Sequence, residues 1–180
     1  RQDGFPATVL PPGHISGPGW TPVNPAGNVD SEVFERLARG EEVALPNFGL
    51  ETVHHVHADD VAQAFQRALE SWSAAVGESF HVVSPRALTL RGFAEAVAEW
   101  FGQEADLTYL PFEEWAERPE YDDDAVETTE DHIRHSPNVS IEKTRSRLGY
   151  EPRYSSLEAV REAVDALVED GAVDPGDSGP

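Results

Sequence analysis

The sequence predicts a mixed α/β fold built as one folded unit. Short runs of apolar and β-branched residues alternate with segments whose apolar side chains recur at helical spacing, and this alternation favours α/β over a helical bundle or a β-sandwich. The hydrophobic fraction of 39% is enough to fill one sizeable core, and 180 residues is a usual length for one domain. We therefore expect alternating strands and helices around a single main core.

The first part of the chain is predicted to be a strand followed by a long irregular loop. Residues 5–10 (FPATVL) are typical of a short buried strand. Residues 11–28 are dense in Pro and Gly, so we expect neither a helix nor a strand interior there. A loop that directly follows a strand of an α/β sheet commonly lies at the strand's carboxyl end, where open sheets bind ligands.

The longer helices are predicted from N-cap residues, apolar periodicity and closing glycines. The first begins at Asp30 or Ser31 and ends before Gly40, and the second begins at Asp59 or Asp60 and ends near residue 72. The apolar positions of the second helix are Val61, Ala64, Phe65, Ala68 and Leu69. The other predicted helices span residues 89–101, 112–116, 140–148 and 155–168. The remaining strand candidates span residues 43–45, 53–56, 80–83 and 107–110.

Two segments are predicted to lack regular structure. Residues 118–130 form an acidic run with few apolar anchors, for which we expect a mobile surface loop. Residues 169–180 are rich in Gly, Pro and Asp and are predicted to be a flexible tail. The folded unit is accordingly expected to span residues 1–168.

Charge and composition exclude several classes of protein. The chain has 13 basic and 34 acidic residues, a formal net charge of −21, which disfavours binding to nucleic acid or to an anionic membrane surface. The absence of Cys excludes disulfide scaffolds, Cys-ligated zinc and thiolate catalysis. No apolar run approaches the roughly 20 residues that span a bilayer. We expect a soluble, cytoplasmic protein.

Three common motifs are missing from the sequence. Gly13, Gly17 and Gly19 do not have the G-x-G-x-x-G spacing of a dinucleotide-binding turn, and they do not open a helix. In the segment from Gly13 to Gly17, Ser16 lies one residue after the serine position of a G-x-S-x-G nucleophile elbow. The single lysine, Lys143, does not follow the glycine of a phosphate-binding loop. None of these chemistries is encoded in this sequence.

A histidine-rich stretch offers one alternative function. His55 and His57 are two residues apart on a predicted strand and therefore share a face, roughly 6–7 Å apart. With Asp59 they supply the residue types of a two-His-one-carboxylate metal site, which would make the protein a metal-dependent hydrolase. In the competing interpretation, the imidazoles fill a half-buried strand face and Asp59 or Asp60 caps the next helix. The competing interpretation is favoured, because no further ligand stands at a suitable spacing.

Three segments, in order along the chain, carry a recognisable pattern. Residues 7–19 read ATVLPPGHISGPG, residues 55–62 read HVHADDVA, and residues 141–152 read IEKTRSRLGYEP. They are similar to the patterns LRP-x-N-V-Y-G-P, F-I-Y-V-D-D-V-A and S-K-A-x-x-x-L-G-Y/W-x-P, respectively. Together they resemble the C-terminal half of the extended short-chain dehydrogenases/reductases, the NAD(P)-dependent epimerase/dehydratases.

The resemblance implies a fold and a cofactor. The fold would be α/β, with the last strands of a Rossmann-like doubly wound parallel sheet and a smaller mixed α/β substrate-binding lobe. The cofactor would be NAD or NADP, with its nicotinamide end at the loop that follows residues 5–10. The candidate cofactor-binding residues are then Pro12, Gly13, His14 and Ile15, mainly through backbone groups.

The resemblance also implies where substrate would bind. The candidate substrate-binding residues are His14, Ser16, Trp20, Arg86 and Arg153. His14 stands where many family members have an Asn that contacts substrate, although a loop histidine can equally bond its own backbone. Trp20 is expected either to stack on substrate or to cover the junction between the lobes. Arg86 and Arg153 are expected either to contact an anion or to form ion pairs.

The sequence departs from the family pattern at the positions that bind phosphate and move protons. Pro11 replaces the Arg of LRP, and Val53 stands where an Arg often holds nucleotide-sugar phosphates, so we expect a small carbonyl or alcohol substrate rather than a nucleotide sugar. The family's Tyr-x-x-x-Lys acid/base pair is absent, because Val139 lies four residues before Lys143. No catalytic residue is therefore assigned. We expect the pair and the glycine fingerprint in an upstream N-terminal half, and we expect the chain alone to be inactive.

The expected function is the substrate-binding C-terminal portion of an NAD(P)-dependent epimerase/dehydratase-like oxidoreductase. The alternatives are a non-catalytic member of the same fold that senses NAD(P), and the metal-dependent hydrolase described above. Residues 5–10 are expected to present an unpaired strand edge. The expected partners are consequently a small-molecule substrate and either the missing N-terminal half or a second copy of the chain, with no nucleic acid and no membrane.

Overall fold

The computed structural model describes residues 5–176, in which strands and helices alternate as predicted. The helices are α1 (Glu32–Arg39), α2 (Ala58–Glu70), α3 (Trp72–Ala75), α4 (Leu90–Trp100), α5 (Phe112–Ala116), α6 (Asp123–Ile133), α7 (Glu142–Leu148) and α8 (Ser156–Glu169). The strands are β1 (His14–Ser16), β2 (Val43–Pro46), β3 (Thr52–Val53), β4 (His55–His57), β5 (Leu88–Thr89) and β6 (Leu107–Leu110). The predicted α/β class is confirmed.

The strands pair across long stretches of chain. β1 lies parallel to β4 with His14 opposite His55, and β2 lies parallel to β6 with Val43 opposite Leu107. β3 and β5 form a short antiparallel pair. Parallel neighbours require a crossover connection, and the helices between the paired strands supply it.

Residues 7–13 and residues 77–82 form a further parallel pair that leads into β1. Five backbone hydrogen bonds of 2.8–3.0 Å join the two segments. The predicted strand at residues 5–10 is thus extended and paired in part, but the expectation that it is buried is wrong. Phe5 is 81% exposed and Val9 57% exposed, because no described element packs on that face.

The main core lies between α1, α4, α5, α8 and the β2–β6 pair, a region that we call the lobe. Its largest fully buried side chains are Trp115, Phe34, Phe93, Leu37, Leu45 and Leu90. The Trp115 indole N–H donates to the Ala44 carbonyl at 3.1 Å, so the one polar atom of this large side chain is satisfied. The lobe therefore has a closed core.

The second region, which we call the open sheet, consists of residues 5–13 and 77–83 with α2, α3 and α7. Leu10, Phe80 and Val82 pack against these helices in two small clusters. Ser79 and His81, which alternate with them, are exposed, as Val9 is. Within residues 5–176, one face of this sheet is therefore covered and the other is not.

Several predicted helix boundaries are confirmed by their caps. α1 ends at Gly40 in the left-handed conformation, and the Thr89 hydroxyl accepts the Gly92 N–H at the start of α4. α8 begins with a capping box, in which Ser155 and Glu158 each bond the other's backbone N–H. These local signals were sufficient to place α1, α4 and α8.

Other boundaries differ from the prediction. The Pro/Gly-rich stretch at residues 11–28 contains β1, since three residues between its glycines pair with β4. The N-cap of α2 is His57 rather than Asp59 or Asp60, because the His57 Nδ1 accepts the Asp59 N–H at 3.1 Å. α2 also ends at Glu70, and α3 follows as a separate short helix.

From Asp123 onward the acidic run is a helix, not a loop. Asp122 caps α6 by accepting the Ala125 N–H at 2.8 Å, and acidic side chains in the first turn interact favourably with the helix dipole. Thr129 and Ile133 are buried and anchor the helix to the lobe. The low hydrophobicity of the segment led to the loop prediction, whereas its acidic first turn favours a helix.

The predicted flexible tail is attached to the lobe as far as the structure describes it. α8 extends to Glu169, and Val173 is 1% exposed in the main core. Arg39 donates to the Asp174 carbonyl at 2.7 Å. The rest of the predicted tail, residues 177–180, lies outside the described residues, as do residues 1–4 of the predicted folded unit.

The apolar positions predicted for α2 lie on two faces of the helix. Ala64 and Ala68 are buried against the sheet, whereas Phe65 is 54% and Leu69 is 70% exposed. The five apolar positions read from the sequence therefore divide between a packed face and an uncovered one. In the described part of the chain, no helix has both the length and the apolar character needed to cross a membrane.

Candidate functional site

A cleft of about 260 Å³ lies at the carboxyl end of residues 7–13, where the chain enters β1. We call it the His14 cleft. It is lined by Pro11, Pro12, Gly13, His14, His54, His81, Val83, Pro137 and Val139. Most of these side chains are apolar, its ionisable side chains are all imidazoles, and none of its lining residues is Lys or Arg.

Gly13 allows β4 to approach the cleft closely. A Cβ at this position would collide with the His54 carbonyl oxygen. In its absence, the His14 N–H donates to that same carbonyl at 2.9 Å, and the Gly13 N–H donates to the Val82 carbonyl at 3.0 Å. Gly13 therefore fixes where His14 and His54 lie relative to each other.

The His54 ring is held at both nitrogens. Nε2 lies 2.9 Å from the Ser84 carbonyl, to which it donates, and Nδ1 accepts the Val139 N–H at 3.4 Å. Burial lowers the pKa of His54, and the bond to Ser84 opposes that shift only in part. His54 is thus a fixed, neutral wall of the cleft at neutral pH.

The His14 ring makes ring contacts only. Its centroid lies 4.7 Å from that of His132, edge to face, and 5.8 Å from that of His55. Within residues 5–176 no hydrogen bond reaches its side chain. Burial, with smaller contributions from the nearby His132 and His54, lowers the pKa of His14 to about 4. A neutral imidazole with one free donor and one free acceptor therefore borders the cleft.

His55 lies behind His14 and is completely buried. Its Nε2 donates to the Val23 carbonyl at 3.0 Å, while its Nδ1 is buried with no partner among the described residues. Burial lowers the pKa of His55 to about 3, with a smaller contribution from His14, and the bond to Val23 opposes the shift. His55 is therefore neutral at neutral pH.

The residues of the proposed metal site are engaged separately. The His57 ring stacks on Tyr154 with centroids 3.9 Å apart, its Nδ1 caps α2, and its Nε2 lies 3.2 Å from a Glu162 oxygen. The Asp59 carboxylate lies 3.2 Å from the Arg153 guanidinium. In the part of the chain that the structure describes, no three His, Asp or Glu side chains are placed to hold a metal ion.

The structural interpretation of this stretch holds, with one correction. Asp60 is buried and does not cap α2. Its carboxylate accepts the backbone N–H groups of Arg153 and Tyr154 at 3.0–3.1 Å. The metal-dependent hydrolase is therefore not supported by the donor geometry.

The predicted cofactor residues are mostly brought together. Pro12, Gly13 and His14 line the His14 cleft, whereas Ile15 packs into the cluster under α2. Ser16 is buried, and its hydroxyl donates to the Ala159 carbonyl at 3.1 Å, so it faces α8 instead of the cleft.

The remaining predicted substrate residues lie outside the cleft. Trp20 is 51% exposed and Arg86 is exposed, and neither lines the cleft. Arg153 is paired with Asp59 and Asp60, which is the ion-pair alternative considered from the sequence.

Sequence reasoning missed His54, His81 and His132. His54 was visible as the first residue of the histidine-rich stretch but was not considered as part of the site. His132 comes from the acidic segment that forms α6. No local pattern showed that this segment would return to the carboxyl end of residues 7–13.

Comparisons with known proteins bear on the family and the fold of the chain. A family model described as "NAD dependent epimerase/dehydratase family" matches residues 1–83. A UDP-glucose 4-epimerase from Thermotoga maritima, solved with UDP-glucose, is 25% identical with a TM-score of 0.63, and the match covers 93% of this chain and 47% of that one. No curated protein matches the chain.

Two more distant structures share the fold. RMD from Pseudomonas aeruginosa, solved with NADPH, is 15% identical with a TM-score of 0.61 and coverage of 93% of this chain and 50% of that one. A UDP-glucuronic acid 4-epimerase from Bacillus cereus, solved with UDP-glucuronic acid and NAD, is 14% identical with a TM-score of 0.59 and coverage of 92% and 46%. The chain spans about half the length of the structures that it matches.

The family match and the shared fold confirm the resemblance read from the three sequence segments. They also explain why parallel pairs without a complete sheet appear in the described residues. Residues 1–83 thus match the NAD-dependent epimerase/dehydratase family, and the chain has about half of the fold of the structures with which it is compared.

Proposed function

We propose that this chain is the substrate-binding part of an NAD(P)-dependent epimerase, dehydratase or reductase that acts on a small carbonyl or alcohol. The observation that carries the proposal is the His14 cleft. It lies at the carboxyl end of a parallel pair, the usual place for ligands in open α/β sheets, and it contains an imidazole with no hydrogen-bond partner in residues 5–176.

The cleft fits the ring end of a nicotinamide cofactor. Pro11, Pro12, Val83 and Val139 offer apolar surface to a flat, uncharged ring. The lining residues include no Lys or Arg, so nothing there would hold a phosphate. When bound, a nicotinamide supplies or accepts hydride. We propose that either NAD or NADP serves, with its pyrophosphate held by residues outside the cleft.

The chain's own residues would orient substrate. His14 can accept from a hydroxyl and donate to a carbonyl oxygen of the substrate, since both of its ring nitrogens are free of described partners. The prolines would exclude water from the reacting carbon. The chain contains no Tyr-x-x-x-Lys pair, so we propose that the proton-transferring groups come from a partner and that the chain alone is inactive.

A small, uncharged substrate fits better than a nucleotide sugar. The pKa values of His14, His54 and His55 are all lowered, so none of these rings is positively charged at neutral pH. Arg153 is already neutralised by two aspartates. A diphosphate would therefore find no cation in the His14 cleft.

The open sheet supports the proposal that a partner completes the enzyme. Within residues 5–176, no hydrogen bond reaches the backbone N–H groups of Thr8 and Leu10, which point along an unpaired edge. The exposed apolar side chains of the same region are Phe5, Val9, Phe65, Leu69 and Trp72. A parallel strand with an apolar flank, as in the other half of this fold, would satisfy both features.

The cofactor proposal is tested by histidine ring spectra of the chain, isotopically labelled at histidine, titrated with reduced nicotinamide mononucleotide. The expected result is that the ring signals of His14, His54 and His81 shift together. His135→Asn, in the exposed segment after α6, is the matched control and should leave these shifts unchanged. Shifts confined to other residues, or none at all, would refute the proposed cleft.

The partner proposal is tested by sedimentation of the chain and of Leu69→Glu. We expect the unsubstituted chain to bind a polypeptide that supplies the N-terminal half of the fold, and we expect the charged variant to lose that binding while its unfolding is unchanged. Association of the chain only with itself would identify a second copy as the partner and contradict the proposed half. A chain that stays monomeric and binds neither that polypeptide nor a second copy would contradict the partner proposal.

A further inference from the structure

Helix α6 is fitted closely to the loop that precedes α1. A Cβ on Gly27, whose φ is +95°, would lie 2.9 Å from the Ile133 side chain, so only glycine allows this approach. The Asn28 side-chain amide donates to the Thr129 hydroxyl at 3.2 Å. These contacts fix the last turn of α6 and place His132 beside His14.

The hydrogen bonds of the cluster define which ring nitrogens accept. His132 Nδ1 lies 2.7 Å from the Gly27 carbonyl, and since a carbonyl only accepts, Nδ1 is the donor. In a neutral His132 ring, Nε2 is then an acceptor, and it has no partner among the described residues. His55 shows the same pattern with its atoms exchanged: Nε2 donates to Val23, and Nδ1 is a buried acceptor without a described partner.

The cluster therefore offers more acceptors than donors. A neutral His132 presents one acceptor and His14 presents one acceptor and one donor, whereas the acceptor of His55 is buried behind them. A hydroxyl group can donate to an imidazole nitrogen and can also accept from one, whereas an ionised carboxylate can only accept. A carboxylate placed beside the acceptor nitrogens of these rings would lack hydrogen-bond donors, and burying a charge without such partners costs binding free energy.

From this arrangement we propose that His132 contacts the substrate together with His14, and that the two rings select an uncharged ligand with neighbouring hydroxyl groups. The proposal rests on the proposed function, because its ligand is the substrate that His14 would hold. It adds a specificity-determining residue from α6, whose His132 ring packs against His14 although no residue of α6 is among the lining residues of the His14 cleft. The 4.7 Å between the two ring centroids lets one small molecule reach both.

The test compares two probes of the same shape, one neutral and one charged. The histidine-labelled 180-residue chain is titrated with cis-1,2-cyclohexanediol and, separately, with cis-2-hydroxycyclohexanecarboxylate, while ring nitrogen shifts are recorded. We expect the diol to shift His14 and His132 together and the hydroxycarboxylate to do so more weakly. Equal or stronger binding of the hydroxycarboxylate would overturn the proposal.

Two substitutions separate ligand contact from a purely structural role of His132. In His132→Asn, the side-chain amide can still donate to Gly27 but no acceptor remains at the place of Nε2. In His132→Gln, the acceptor is restored while the bond to Gly27 is lost. We expect the Asn variant to bind the diol about three- to tenfold more weakly, the loss of one hydrogen bond, and the Gln variant to bind closer to the unsubstituted chain.

The opposite ranking, with Asn binding as the unsubstituted chain and Gln impaired, would show that His132 only supports the fold and would overturn the proposal. So would the absence of any response of His132 to the diol. These outcomes are distinguishable from failure of the proposed function, which is read from the nicotinamide probe at His14, His54 and His81.

Discussion

The lobe and the open sheet of this chain differ in how much of their apolar surface is covered. In the lobe, Trp115, Phe34 and Phe93 are completely buried among residues of the same chain. In the open sheet, Phe5, Leu69 and other large apolar side chains are more than half exposed. The segments of the two regions alternate along the sequence, and the lobe contains the larger buried core, whereas the open sheet has two small clusters.

The difference shows which region buries its large apolar side chains without help from another chain. A monomeric protein rarely leaves a contiguous apolar patch beside an unpaired strand edge, because both features favour association. The lobe has a large buried core, whereas the open sheet leaves apolar side chains and a strand edge uncovered within residues 5–176. The following predictions test that distinction, from the largest expected effect to the smallest.

The largest effect is expected from a matched pair of tryptophan substitutions. Trp115→Ala should lower the free energy of unfolding by about 3–5 kcal/mol, because it empties a fully buried site in the lobe. Trp72→Ala, at a side chain that is 53% exposed in the open sheet, should change it by no more than about 0.5 kcal/mol. Urea denaturation measures both, and similar losses from the two would remove the distinction between the regions.

The next effect concerns the junction of the two regions. Gly13→Ala should lower the free energy of unfolding by about 1–3 kcal/mol, because its Cβ would push against the His54 carbonyl. It should also broaden or shift the ring signals of His14 and His54. Ser79→Ala, at an exposed position of the same sheet, serves as the control. A Gly13→Ala variant as stable as the control would mean that the close approach is not needed.

The histidines of the cleft should make the stability of the chain depend on pH. The folded pKa values of His55, about 3, and His14, about 4, lie below the ordinary value of 6.5, so below about pH 6.5 the unfolded chain binds more protons than the folded one. Their stabilising contribution is complete above that pH and is lost as the pH falls. The buried His55 alone should contribute a slope of about 1.4 kcal/mol per pH unit.

Urea denaturation between about pH 7.5 and about pH 5.5 measures that slope. His55→Gln should reduce it, whatever the variant's stability at neutral pH, and His135→Gln in the exposed segment should not. An unchanged slope in His55→Gln would show that this ring is not held neutral by its buried position.

The smallest effect is expected on the uncovered face. Val9→Thr replaces a methyl group by a hydroxyl on a side chain that is 57% exposed, so the free energy of unfolding of the isolated chain should change by less than about 0.5 kcal/mol. The same variant should weaken binding to the partner that covers the face. A loss of stability comparable to a core substitution would show that Val9 is already covered.

Most of the fold followed from local signals that act over a few residues. Caps and glycines placed α1, α4, α7 and α8, because the residues that satisfy a helix end are adjacent to it. The errors arose where distant parts of the chain decide. β1 exists because β4 pairs with it, and α6 is held by buried Thr129 and Ile133 in a segment whose composition resembles a loop.

The site was predictable in part for the same reason. Pro12, Gly13 and His14 follow a strand directly, and the family pattern pointed to them. Ser16 also follows, but its hydroxyl donates to the Ala159 carbonyl of α8, a contact between distant parts of the chain that no local pattern predicts. His132 could not be found from sequence, since its position depends on the fit of α6 at Gly27.

Residues 7–16 connect the free strand edge to the ring of His14, with one bend at Gly13. Thr8 and Leu10 present the unpaired N–H groups, and only a few residues separate them from the cleft. Gly13 is itself held in place, because its N–H donates to the Val82 carbonyl and a Cβ at this position would collide with the His54 carbonyl. A partner strand that pairs with the edge would therefore influence the orientation of the His14 ring. Binding of the proposed partner and orientation of the proposed substrate would then be coupled.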